Sequence, residues 1–154
     1  MNALFADYLE RLTTLHEGFK TAVHNLPPEA LDWQPGPDMN SFTIIISHVA
    51  GSERFWVGDM VGQDPSGRVR AEEFEQKGLT AVTLARLLDD TLAHSRRVLE
   101  STSLEDLEAE RQTPDGRRTH RVAWCLLHNL EHVAIHLGHV EILRQLWDQR
   151  EDRG

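Results

Sequence analysis

The sequence predicts an all-α fold, a four-helix bundle. Apolar residues recur at spacings of three and four in four separate segments. Proline- and glycine-containing stretches divide those segments, and no run alternates apolar and polar residues well enough to read as a strand. The 154 residues are read as one domain, 1–154, long enough to bury a core.

The first helix is predicted over 2–25. Leu4, Phe5, Tyr8, Leu12, Leu15, Phe19 and Val23 form one stripe, and Pro27-Pro28 ends the helix by removing backbone donors. Leu31 to Asp38 reads as a structured loop, with Pro35, Gly36 and Pro37 following the single large aromatic Trp33. Asn40 or Ser41 is a good N-cap for a second helix to about Val61, with Ile44, Ile45, His48, Phe55 and Trp56 toward one side. Gly62 to Gly78 is polar, contains Pro65 and Gly67, and is long enough to cross from one end of a bundle to the other. A third helix over 79–101 is carried by Leu84, Leu87, Leu88, Leu92, Val98 and Leu99. Thr113-Pro114-Asp115-Gly116 has turn chemistry, and a last helix follows from about Thr119 to Arg150. That helix is apolar on more than one side (Trp124, Leu127, Leu130, Val133, Ile135, Leu143, Trp147), the pattern of a central helix.

Composition narrows the function classes. With 25 acidic against 16 basic residues the net charge is −9, which opposes binding to a phosphate backbone, so no nucleic-acid partner is expected. The short basic run Arg117, Arg118 and Arg121 reads as a solvated loop edge unless it meets an anionic substrate group. No apolar stretch approaches the roughly 20 residues needed to span a bilayer, and no signal-peptide pattern is visible. Cys125 is the only cysteine, so an intramolecular disulfide and a multi-cysteine zinc site are both excluded, and a cytoplasmic setting is expected. It reads as a small buried apolar residue.

Nine histidines are present, and four of them lie between 128 and 139. His128, His132 and His136 recur every four residues, so each step turns only about 40° around the helix and rises about 6 Å. Neighbouring members can share one metal ion, whereas His128 and His136, about 12 Å apart along the axis, cannot. His139 follows three residues later, and either His128 or His139 competes for a place in the pair. A third ligand must come from a facing helix. His48, in the middle of the second helix on the face of Ile44, Ser52 and Phe55, is the best donor. Neutral imidazoles suit a divalent ion such as zinc or nickel, and three protein ligands leave a position for water or substrate. His16, His24, His94 and His120 lack a partner at ligand spacing and receive no role.

Three segments resemble the DinB/YfiT-like family of small four-helix metal-binding proteins. They are Leu31-Asp32-Trp33-Gln34-Pro35 with Ser41, Ser47-His48-Val49-Ala50 with Glu53-Arg54-Phe55-Trp56, and Leu127 to His139. The resemblance implies His48, His132 and His136 as the metal ligands, with His128 beside them as a non-ligand histidine. It also implies an up-down-down-up topology with the long crossover between helices 2 and 3, and a homodimer. Where the family has Arg-Gly-Gln after its histidine pair, this chain has Leu137-Gly138-His139, so inference of a substrate from relatives weakens. The family contains transferases and isomerases that use a low-molecular-weight thiol, and others suspected to be hydrolases. The resemblance therefore implies a metal-dependent enzyme, the alternative being a non-catalytic metal-binding or stress-response scaffold. No catalytic residue is assigned. His139, Glu131 and His128 are the candidates for supporting a ligand or moving a proton, with Glu53 a weaker one. Trp33, Phe55 and Trp56 are candidates to wall the pocket.

Overall fold

The chain begins with α1 (Ala3–Val23), started by Asn2, whose side chain accepts the N–H of Leu4. The computed structural model describes residues 1–151. After α1 the backbone turns through a left-handed Asn25, and Pro28 opens the one-turn α2 (Pro28–Leu31). Of the two candidate caps for the next helix, Ser41 is used: its hydroxyl accepts from Ile44 N–H at 3.3 Å to start α3 (Phe42–Glu53).

The second helix does end at Val61, but its last eight residues, Arg54–Val61, form a π-helical segment. Its wider turn rotates Phe55, Trp56 and Asp59 relative to α3, and such segments often mark functional sites. The crossover carries a one-turn helix, α4 (Arg70–Glu73), which the polar sequence did not reveal. Thr80 caps α5 (Ala81–Ser101). A 3₁₀ turn (Glu105–Glu108) then leads into a hairpin of β1 (Glu110–Gln112) and β2 (Thr119–Arg121), paired antiparallel with Arg111 opposite His120.

That hairpin corrects the expectation of a strand-free chain. Its strands are three polar residues each, too short to show alternation, and the closing turn supplies the order: Gly116 sits at φ 71° and its N–H donates to Thr113 O at 2.8 Å. Because Thr119 to Arg121 pair with β1, the last helix, α6 (Val122–Glu151), starts three residues later than expected.

Helix α1 packs on α5 and α6, and α3 packs on the same two, so α1 and α3 lie diagonally across the bundle. This is the up-down-down-up arrangement, with the crossover joining the two parallel middle helices. The core is filled by Phe5, Leu12, Phe19, Phe42, Ile46, Leu84, Leu88, Leu99 and Val133. Each such side chain stabilises the fold by roughly 1.5–3 kcal/mol through removal from water. Two apolar expectations fail. Leu4 is half exposed, and Leu127 (69% exposed) and Ile135 of α6 face outward and not into the core, although α6 packs on both α1 and α3.

A polar knot crosses this core. His16 of α1 donates from Nδ1 to Leu88 O at 3.2 Å, and its Nε2 lies 2.8 Å from Glu53 Oε2. Ser95 of α5 donates to Glu53 Oε1 at 2.6 Å. All three residues are fully buried, so their mutual satisfaction is what makes the burial tolerable. No helix among the described residues is long and apolar enough to cross a membrane.

Candidate metal centre

His48 stands on α3, and His132 and His136 stand one turn apart on α6, which packs against it. The structure brings the three together: one ring nitrogen from each lies within 4.8 Å of the others. His48 Nε2 and His132 Nε2 are 3.1 Å apart. Two imidazole nitrogens sharing a tetrahedral ion with bonds of about 2.0–2.1 Å lie ~3.3 Å apart, so this donor set fits a divalent metal.

Electrostatics favour the ligand form. Burial, reinforced by the neighbouring imidazoles of His136, His48 and His128, lowers the pKa of His132 to about 3. Burial, with His48 and His139 alongside, lowers His136 to about 4. Both rings are therefore neutral at pH 7, with lone pairs available to a cation.

A residue not singled out from sequence completes the centre. Glu73, on α4 in the crossover, has Oε2 at 2.8 Å from His48 Nδ1. With Nδ1–H donating to this carboxylate, His48 presents Nε2 as the free nitrogen, the usual support of a metal-binding histidine. Glu73 is itself gripped by Arg68, whose Nε and Nη2 donate at 2.5 and 2.9 Å. Burial pushes the Glu73 carboxyl up, but the bonds from Arg68 and His48 outweigh it and hold the group below the ordinary carboxylate range. The approach needs Gly51, since a Cβ there would overlap Glu73 Oε1. The one sequence signal available was chemical: a ligand histidine needs an acceptor on its other nitrogen, and the crossover contains Glu72, Glu73 and Glu75.

The other candidates sort out clearly. His128 lines the cavity beside the cluster, stacked on Trp124 at 4.7 Å and edge-on to Trp56, with its ring 6.1 Å from that of His132. His139 is exposed, its Nδ1 3.4 Å from His136 Nδ1, and is not part of the three-nitrogen group. Glu131 is exposed. Glu53 is committed to the polar knot with His16 and Ser95, away from the cavity lining. Cys125 is buried, and burial pushes its thiol up to about 11, far from a reactive thiolate. Phe55 and Trp56 do wall the cavity, but Trp33 packs edge-on against Trp147 at 5.5 Å and does not line it. Of the unassigned histidines, His16 is part of the core knot, His94 bonds Asp64 at 2.9 Å and His120 stacks on Trp124.

His48 and His132 open onto a cavity of about 720 Å³, a size that suits a small molecule. A model of the DinB superfamily matches residues 11–140. The chain belongs to the DinB superfamily. Among solved structures, a DinB-like protein from Bacillus cereus ATCC 10987 is similar at 16% identity and TM-score 0.75, covering 92% of this chain and 91% of its own. YfiT from Bacillus subtilis, described as a probable metal-dependent hydrolase with an unusual four-helix bundle topology, is similar at 13% identity and TM-score 0.74, with 96% and 90% covered. A mycothiol-dependent maleylpyruvate isomerase is similar at 18% identity and TM-score 0.65; 86% of the present chain matches 59% of the isomerase. At these identities the likeness establishes the DinB fold alone. No curated protein matches the sequence.

Proposed function

We propose that this DinB-superfamily protein is a metal-dependent enzyme acting on a small molecule, with one zinc or nickel ion held by His48, His132 and His136. The observation that carries the proposal is the convergence of three imidazoles, two of which, His48 and His132, line an open cavity. A structural zinc site closes with four protein ligands, whereas a catalytic one keeps a position open. Among the described residues the grouping contains three ligands, which favours the enzyme over a metal-holding scaffold.

When bound, a divalent ion at such a site supplies a Lewis-acidic position at which a water or thiol loses its proton near neutrality. The chain's own groups do the rest. Glu73 orients His48, Arg68 fixes Glu73, and Phe55 with Trp56 supply an apolar wall that shelters the reacting atoms from water. The reaction we favour is transfer or isomerisation with a low-molecular-weight thiol, supported by the mycothiol-dependent neighbour; hydrolysis is the alternative supported by YfiT.

Elemental analysis of purified protein beside the His48→Ala/His132→Ala/His136→Ala variant tests the metal assignment. The wild type is expected to carry close to one equivalent of metal and the variant none; equal content refutes the site. Thiol-transfer assays with mycothiol, bacillithiol and glutathione then test the reaction class, and inactivity with all three removes the thiol reading.

A further inference from the structure

The basic run Arg117, Arg118 and Arg121 divides in the structure. Arg121 pairs with Glu108 at 3.2 Å, outside the cavity lining. Arg117 and Arg118 instead line the same cavity as His48 and His132.

The charges around that cavity run against the rest of the molecule. The chain carries −9, yet the lining contains four arginines, Arg68, Arg70, Arg117 and Arg118, and two carboxylates, Asp59 and Asp115. Most of these groups are already committed. Arg68 is held by Glu73, and Asp59 accepts from Arg54 at 3.2 Å and from the Ser66 N–H and hydroxyl at 2.9 Å each. Arg70 lies over the Phe74 ring. Asp115 Oδ1 caps its own turn, accepting from Thr113 Oγ1 and Arg117 N–H, and its other oxygen forms only a loose, solvent-exposed ion pair with Arg117 Nε at 3.8 Å, too long for a hydrogen bond. Arg118 has no carboxylate partner among the described residues.

The platform beneath these guanidinium groups is ordered. Thr113 N–H donates to Arg118 O at 2.8 Å and Arg118 N–H to Thr113 Oγ1 at 3.1 Å, locking the turn. Strand β2 runs directly into α6, which carries His132, and His120 of β2 meets Trp56 edge-on at 5.7 Å. The turn is thus fixed relative to both the histidines and the aromatic wall.

We propose that the cavity recognises a small amphipathic anion, whose carboxylate or similar oxyanion is bound by Arg117 and Arg118 while its apolar part lies against Phe55 and Trp56. A guanidinium fork matches a planar oxyanion bidentately, and two arginines of this turn line the cavity. The inference rests on the metal-centre reading only for which end of the ligand reacts. The anion belongs either to the thiol co-substrate or to a separate carboxylate substrate, and the two sources are separable by probe.

The test is calorimetric titration of the holoprotein with maleate (two carboxylates, no thiol), glutathione (thiol with carboxylates) and 2-mercaptoethanol (neutral thiol). In the Arg117→Gln/Arg118→Gln variant, binding of at least one anionic probe should weaken by about tenfold or more, as loss of charge-assisted bonds requires. The Arg117→Lys/Arg118→Lys variant should recover part of it, and 2-mercaptoethanol should be unaffected. Dependence for glutathione alone places the anion on the thiol; dependence for maleate places it on a separate substrate. Failure of both anionic probes to bind the wild type, or unchanged affinity in the Gln variant, overturns the proposal. Metal content measured on the same samples keeps this result apart from failure of the metal site, which would show in the histidine variant instead.

Discussion

His48 can serve as a ligand because its second nitrogen is fixed by a carboxylate delivered from a different segment. Replacing Glu73 by Gln keeps the size and removes the charge that orients the ring. Metal affinity should fall by about 10–100-fold with helicity unchanged, as measured by chelator competition and circular dichroism. An affinity within threefold of wild type would remove Glu73 from the centre. The depressed pKa values of His132 and His136 make a second residue-level prediction. In the unfolded chain both rings take up protons near 6.5, while in the fold they stay neutral down to about 3 and 4. Within that window the unfolded state binds more protons, so stability of chelator-treated protein declines as pH falls from 6.5 toward 4. Urea midpoints at pH 7 and pH 4.5 should show the drop, and His132→Gln/His136→Gln should reduce it; an equal drop in both proteins would contradict the assignment. The four-residue histidine repeat on α6 was legible in the sequence because its spacing is a geometric statement. Spacing left His128 and His139 in competition, and only the family resemblance singled out His132 and His136. Glu73 was not legible, because its partner is 25 positions away through a polar stretch with no periodicity.

At the level of elements, α3 is tied to the bundle by two different polar devices on its two faces. One is the histidine cluster of the candidate metal centre, and the other is the His16–Glu53–Ser95 knot. Because the knot is fully buried, Glu53→Ala leaves an imidazole nitrogen without its partner and should cost about 3–5 kcal/mol in chemical denaturation. Metal stoichiometry of the folded fraction should stay the same; loss of metal at unchanged stability would reassign Glu53 to the centre. The four long helices were readable from their apolar stripes and from breakers such as Pro27-Pro28. The π segment was not, since a change in hydrogen-bond register at Arg54–Val61 leaves no mark in residue type. The hairpin was hidden for another reason: strands such as Glu110-Arg111-Gln112 bury little and are held by backbone pairing and their turn.

For the whole molecule, the proposed ion links α3 to α6, whose sequence separation is more than 80 residues. Binding only to the folded form should therefore stabilise the entire bundle. Metal at a hundredfold excess over its dissociation constant should add about 2.7 kcal/mol, and His48→Ala should abolish the gain. A gain that persists in His48→Ala would place the ion elsewhere. The central claim is that three imidazoles hold one divalent ion and leave a coordination position facing the cavity. X-ray absorption at the edge of the co-purifying metal measures this directly. The account predicts three imidazole nitrogens and one exchangeable light-atom ligand that gives way to sulfur when a thiol is added. Four imidazoles, with no change on adding thiol, would contradict it.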